Sequence, residues 1–222
     1  MADYIVKVLE VKNVTHNVHS FNIEKPEGFT YVPGQATDLS IMKPGWETEK
    51  RPFTFTSLPE SDFLQFTIKS YADRGGVTNQ LLYIKPGDHF EISDAWGAIE
   101  YKGEGVFLAG GAGITPFIAI LRNLYAQNKV GNNKLFFSNK TTDDIILKQE
   151  FEQILGDHFF NLISAENTND FYHGRIDKAF LEKHINDFSQ HFYVCGPDAF
   201  IESVLNALQA LGAHAEALVF EK

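Results

Sequence analysis

Two short segments of this sequence place glycines where a phosphate-bearing ligand could be held. The first is Gly110-Gly111-Ala112-Gly113-Ile114-Thr115-Pro116, which follows the apolar run Gly105–Ala109 and opens a helical pattern. Glycines let backbone amides approach a pyrophosphate with no side chain in the way. Thr115 is placed to cap the helix, and Pro116 suits its first turn, where the missing amide hydrogen had no partner anyway. Taken alone, the segment fits a tight strand-to-helix turn that binds nothing equally well. The second segment is Val194-Cys195-Gly196-Pro197-Asp198-Ala199-Phe200, again a strand end opening a helix. It puts Cys195 at the carboxyl end of a strand, where parallel α/β sheets bind ligands. A lone cysteine is more often a small core residue. Its pairing with the glycine loop on one sheet edge favours the ligand-facing reading.

The elements that must position these loops follow from two rhythms. From Tyr4 to about Ile92, short β-rich runs (YIVKVLEV, HSFNIEK, ATDLSIM, PFTFTS, FLQFTIKSY, HFEIS) alternate with Pro and Gly turns. Close-set strands of this kind predict an antiparallel barrel or sandwich. One short helix is expected over Thr78–Ile84, with Thr78 as its cap. From Gly105 onward, strands alternate with helices at Thr115–Asn128, Lys148–Leu155, Asp177–Ile185 and Pro197–Leu211, which predicts a parallel sheet covered by helices. The boundary is expected near Tyr101–Gly105.

Composition narrows the function classes. The 222 residues are 44% hydrophobic and 22% charged, an ordinary globular balance. Twenty Phe and eight Tyr are numerous, and core filling is the default role for most of them. The net charge of −10 argues against broad attraction to nucleic acid or anionic membrane, while leaving room for a local basic pocket. One cysteine cannot form an internal disulfide or a four-cysteine iron–sulfur cluster. The eight histidines form no metal-binding pattern. No signal-peptide core or membrane span is predicted, and the two sequons at Asn13 and Asn139 read as chance. A cytoplasmic location is expected.

In order and spacing, RPFTFTS at 51–57, GGAGITPF at 110–117 and VCGPDAF at 194–200 resemble the ferredoxin–NADP reductase superfamily. The likeness is to its short, flavodoxin reductase-like members without an iron–sulfur domain, and it runs over nearly the whole chain. It implies an N-terminal antiparallel flavin-binding β-barrel over residues 1–102 and a nucleotide-binding parallel α/β domain over 103–222. It further implies that Arg51 holds flavin phosphate, a role suited to a planar guanidinium fork. Thr54 would hydrogen-bond the flavin nitrogen that accepts hydride. Pro52 and Phe53 would line the ring, with Phe53 standing where the family has tyrosine. The turn Arg74-Gly75-Gly76-Val77-Thr78 resembles a second flavin-phosphate element. Lys69 and Tyr71 either line the same groove or are ordinary strand positions. Two phosphate elements favour FAD, with FMN as the alternative.

For the nicotinamide dinucleotide, the resemblance assigns Gly111, Gly113, Thr115 and Pro116, together with Cys195, Gly196, Pro197 and Asp198. Thr54 and Cys195 are the residues expected at the reacting centre. Ser138 and Lys140 favour NADPH over NADH, because a hydroxyl and an ammonium can meet a 2′-phosphate. Asp143 or Asp144 would instead accept a ribose hydroxyl if the loop folds differently, and Arg175 is a further phosphate contact. Phe220 either replaces the family's flavin-stacking terminal aromatic or ends the last strand. The implied activity passes electrons from NAD(P)H through bound FAD to a separate acceptor such as flavodoxin or ferredoxin. An oxygenase reductase component and a free-flavin or ferric reductase are the alternatives, with a non-enzymatic flavin-binding module ranked below them.

Overall fold

The structure is a computed structural model and describes residues 3–71, 75–97, 99–166 and 169–220. Its first half is a six-stranded antiparallel sheet: β1 (Asp3–Asn13), β2 (Val18–Glu24), β3 (Ala36–Ile41), β4 (Arg51–Thr54), β5 (Phe63–Lys69) and β6 (His89–Ser93). The spatial order is β4-β3-β6-β1-β2-β5, and an isolated bridge between Phe55 and Phe66 brings the two edges together into a nearly closed barrel. Period-two alternation drives this closure. In β1, Val6 and Val8 point inward while Ile5, Lys7 and Leu9 face out. Phe21, Phe55, Phe66 and Phe90 fill the interior, so the abundance of phenylalanine here serves the core.

The second half is a parallel sheet of β7 (Gly105–Gly110), β8 (Lys134–Asn139), β9 (Phe159–Ile163), β10 (Tyr172–His173), β11 (His191–Cys195) and β12 (Leu218–Phe220). Their order is β10-β9-β8-β7-β11-β12. Helices α2 (Thr115–Ala126) and α3 (Lys148–Leu155) pack with the face that carries Phe107, Ala109 and Phe137. Helices α4 (Lys178–His184) and α5 (Asp198–Ala210) cover the opposite face, with Leu108, Phe136 and Val194. Burial on both faces is why β7 reads as a continuous apolar run rather than an alternating one. Among the described residues no helix is long and apolar enough to cross a membrane.

The segment joining the halves is pinned. The Tyr193 hydroxyl accepts the Lys102 and Gly103 amides at 2.9 and 3.1 Å and donates to the Gly103 carbonyl oxygen at 2.8 Å. Asn133 Oδ1 accepts the Gly105 amide at 3.0 Å.

Several local expectations need correction. The helix predicted over 78–84 is one α turn, α1 (Val77–Gln80), followed by a 3-10 turn at Leu81–Tyr83. Gly76 caps it without a side-chain bond, and Ile84 is already extended ahead of the Lys85-Pro86 pair, which disfavours helix. Thr115 does not cap α2. A 3-10 turn at Gly111–Ile114 precedes the helix, and Thr115 begins it with its hydroxyl donating to the Ala112 carbonyl oxygen at 3.1 Å. The two-residue strand β10 carried no sequence signal.

Candidate functional site

The parallel sheet reverses its direction of growth between β7 and β11: β8, β9 and β10 lie on one side of β7, and β11 and β12 on the other. At such a reversal the loops leaving the two strands part in opposite directions and open a crevice at their carboxyl ends. The two glycine-bearing motifs are the loops that flank this crevice. They touch each other closely. A Cβ on Gly113 would lie 2.2 Å from the Cys195 carbonyl oxygen, and one on Gly196 would lie 2.7 Å from the Phe200 ring. Phe200, on the first turn of α5, packs under both loops, because Gly110 also has no room for a Cβ against it. The glycines thus permit close approach of backbone to backbone, and the crevice keeps a floor without side chains.

Above that floor there is room. Gly111 adopts a φ of +52°, and a Cβ there would meet no atom within 4 Å. The turn at Gly111–Ile114 starts here, so its own leading amides have no acceptor within it, whereas the Thr115 amide that opens α2 is already bonded to the Ala112 carbonyl oxygen. Pro116, the second residue of α2, is buried. Cys195, at the end of β11, pairs in register with Ala109 and is half-buried against the α2-side core. Pro197 caps α5, and Asp198 sits exposed in its first turn, where a carboxylate complements the helix N-terminus.

On the barrel, β4 carries the other group of predicted residues. Thr54 pairs with Ala36 and Phe53 with Thr37, both half-buried, while Arg51 and Pro52 are exposed. The Arg51 guanidinium donates to the Lys50 carbonyl oxygen at 2.7 Å and to Glu49 Oε2 at 3.1 Å. Behind this strand Tyr31, pushed up to about 12 chiefly by burial, stays protonated and donates to the Ser57 carbonyl oxygen at 2.9 Å. Among the described residues, Cβ atoms on Gly75 and Gly76 would meet nothing within 4 Å, and the Val77 and Thr78 amides that open α1 have no acceptor within that helix. Arg74 lies outside the described residues.

Among the remaining predicted residues, Ser138 pairs in register with Gly110 at the carboxyl end of β8. The Lys69 ammonium stands in an ion pair between the two halves, with Nζ 3.1 Å from Asp144 Oδ1. Asp144 is the other member of that pair. It is buried, and its second oxygen accepts the Thr141 hydroxyl at 2.9 Å. Burial would raise the Asp144 carboxyl, but hydrogen bonds from Lys69 and Thr141 hold it below the usual carboxylate range. Tyr71 and Ser138 are half-buried, and Lys140 and Arg175 are exposed. Phe220 ends β12 and packs with the core on the α4/α5 side, the sheet face opposite Cys195. Sequence reasoning missed Glu166, whose Oε2 accepts the Thr142 amide at 2.9 Å beside Lys140. It also missed Arg122, a charged residue inside the apolar helix α2, and that interruption was the available signal.

Residues 4–93 match the family model of an FAD-binding domain, and residues 107–206 match that of an oxidoreductase NAD-binding domain. The chain is 31% identical over 220 residues to NADH-cytochrome b5 reductase 2-B of Vanderwaltozyma polyspora, covering 88% of this chain and 71% of that one. The chain belongs to the ferredoxin–NADP reductase family. Family members here include the reductase component of propane 2-monooxygenase from Rhodococcus jostii, 26% identical, of which this chain spans 63%. The ferredoxin NADP+ reductase of Neisseria gonorrhoeae, solved with bound FAD and NADP, shares the fold with a TM-score of 0.86 at 20% identity, covering 99% and 98% of the two chains. The residues present fit the family's cofactors: a guanidinium and a two-glycine turn on the barrel for flavin phosphates, and two glycine-bearing loops meeting on the sheet for a dinucleotide. This member is accordingly an FAD-dependent NAD(P)H oxidoreductase.

Proposed function

We propose that this protein oxidises NADH and delivers the electrons one at a time to a separate acceptor protein. The observation that carries this reading is the crevice between β7 and β11, closed to side chains by Gly113 and Gly196 and open above Gly111. FAD, when bound, accepts two electrons with a hydride and can release them singly. The chain's own residues bind, orient and exclude water. Arg51 and the Gly76–Thr78 amides would hold the flavin phosphates through charge-assisted and backbone bonds. Thr54 would donate to the ring nitrogen, and Phe53 would pack beside it. Gly111, Gly113 and Thr115 would seat the pyrophosphate of the dinucleotide, while Cys195 holds the nicotinamide in place rather than acting as a nucleophile. In this reading the flavin-binding half is residues 1–102 and the nucleotide-binding half 103–222.

The sequence favoured NADPH on the strength of Ser138 and Lys140. Glu166 supports NADH instead. Its carboxylate sits on the Thr142 amide at the same sheet edge, and a carboxylate accepts a ribose hydroxyl but repels a 2′-phosphate. For the acceptor, the cytochrome b5 reductase and oxygenase reductase relatives support a one-electron protein partner, a class that also includes ferredoxin and flavodoxin. Anaerobic reduction with NADH or NADPH, followed by mixing with cytochrome b5, ferredoxin and flavodoxin, tests both readings. Faster bleaching by NADPH would reverse the first, and transfer to free flavin or ferric ion alone would reverse the second.

A further inference from the structure

Helix α2 begins at the nicotinamide-side loop and carries Arg122 about two turns further on. Its guanidinium leaves the α/β half. Nη1 donates to the Thr56 carbonyl oxygen and, at 2.8 Å, to Gln65 Oε1, both in the barrel. Nε and Nη2 hold the two oxygens of Glu150 on α3. One planar group therefore joins α2, α3 and the barrel seam, since Thr56 and Gln65 flank the Phe55–Phe66 bridge that closes the barrel. We propose that Arg122 is a positioning residue that sets the distance between the nicotinamide-side loop and the flavin-side strand.

The lever arms are short and stiff. From Arg122 back to Thr115 is about 10 Å of helix at 1.5 Å per residue. From Thr56 back to Thr54 is about 7 Å of strand. A shift at Arg122 thus reaches both sides of the reacting centre almost undiminished. The fork also fixes orientation, which a lysine ammonium with its single rotating head cannot do. A second crossing tie, the Lys69–Asp144 pair, stands between β5 and the loop after β8, so rotation about Arg122 is opposed as well. An apolar residue would serve the packing of α2, whose neighbours Ile118, Leu121 and Leu124 are buried. What arginine adds at this position is the crossing. Hydride transfer requires the reacting atoms at about 3–3.5 Å, and a misplacement of about 1 Å costs on the order of 10²-fold.

This inference rests on hydride passing between a nicotinamide on the sheet and a flavin on the barrel. The test compares holo-protein carrying Arg122→Lys, Arg122→Met, and Arg122→Met with Glu150→Gln, the last leaving no unpaired carboxylate. Four quantities are read: FAD affinity, NAD+ affinity, the anaerobic single-turnover rate of flavin reduction by NADH, and thermal unfolding of the flavin-free chain. Affinities near wild type are expected in all three, with reduction slowed by about ten- to a hundredfold. The lysine variant should fall less than the methionine ones, and the methionine variants should unfold in more clearly separated steps than the wild-type chain. A folded Arg122→Met that reduces its flavin at the wild-type rate overturns the proposal. So does a slowing that merely tracks loss of FAD. If the wild-type protein itself binds FAD but takes no hydride from NADH, the underlying reading fails instead.

Discussion

Replacing Gly113 by alanine tests the crevice directly. The added Cβ would stand 2.2 Å from the Cys195 carbonyl oxygen, 2.4 Å from its carbon and 2.5 Å from the Gly196 nitrogen. All three are backbone atoms, so no side chain can swing aside. Relaxed carbon contacts lie at roughly 3.5–4.0 Å, so the two loops must part by about 1 Å. Overpacking of this kind costs about 1–3 kcal/mol. At roughly 2–4 °C per kcal/mol for a chain of this size, Tm should fall by several degrees. The chemical effect should be larger. Displacing the nicotinamide by about 1 Å from its reacting partner costs on the order of 10²-fold in hydride transfer. FAD should stay bound, because the strain lies on the sheet rather than on the barrel. Flavin content, differential scanning fluorimetry and anaerobic stopped-flow reduction by NADH together give the three numbers. A Gly113→Ala protein that melts and reduces like wild type would refute the claim that these loops must touch.

Gly76→Ala provides the contrast. With a φ of −95° and, among the described residues, nothing within 4 Å of the new Cβ, it should leave flavin-free stability unchanged while weakening FAD binding, as read by equilibrium dialysis. Arg51→Ala should raise the Kd for FAD, each charge-assisted bond lost costing about 1.5–3 kcal/mol. The exchange of the Glu49 contact for phosphate puts the net effect at the lower end. Cys195→Ala should slow flavin reduction with FAD content intact, and a wild-type stopped-flow rate would make the thiol ordinary packing. The Asp144 carboxyl is held below its ordinary range, so its contribution to stability is complete at neutral pH and is lost as pH falls below about 4. Asp144→Asn should lower Tm at pH 7 and flatten that acid limb, with the Lys69 ammonium and the His16 ring, 4.0 Å from the carboxylate, as the groups facing it.

Where the pattern was strong, the sequence was readable. Helix α3 runs from Lys148 to Leu155 as its spacing predicts, and Asp177 caps α4 by accepting the Phe180 amide at 2.8 Å. Each of the six barrel strands coincides with one of the β-rich runs to within one to three residues at either end, because alternation with Pro and Gly turns specifies the faces and nearly the ends. The misses have physical causes. Tyr172–His173 is too short to show a period, and its pairing with β9 is a tertiary choice. Thr115 looked like a cap because Thr before Pro is a common helix start. The glycines before it can extend the helix backward as a 3-10 turn, which no propensity scale registers.

The site divides along the same line. Motif glycines were legible because their constraint is local: backbone must pass close to backbone, and the residue type records it. The partner of a charged side chain is not local. Lys69 reads as a groove-lining ammonium until β5 is brought beside the loop after β8, where Asp144 takes it. Arg122 reads as an oddity in an apolar helix until the barrel seam is set against α2, where it finds Thr56 and Gln65. Both residues face the junction of the halves. Phosphate-binding motifs can place each cofactor on its own half, but neither specifies how far apart the two sit. That separation must be held by contacts crossing the junction, and charged side chains with fixed geometry are suited to it because an unsatisfied buried charge is costly in any other arrangement. Substitutions at Arg122, Gln65 or Asp144 should therefore spare binding of either cofactor while degrading the reaction between them.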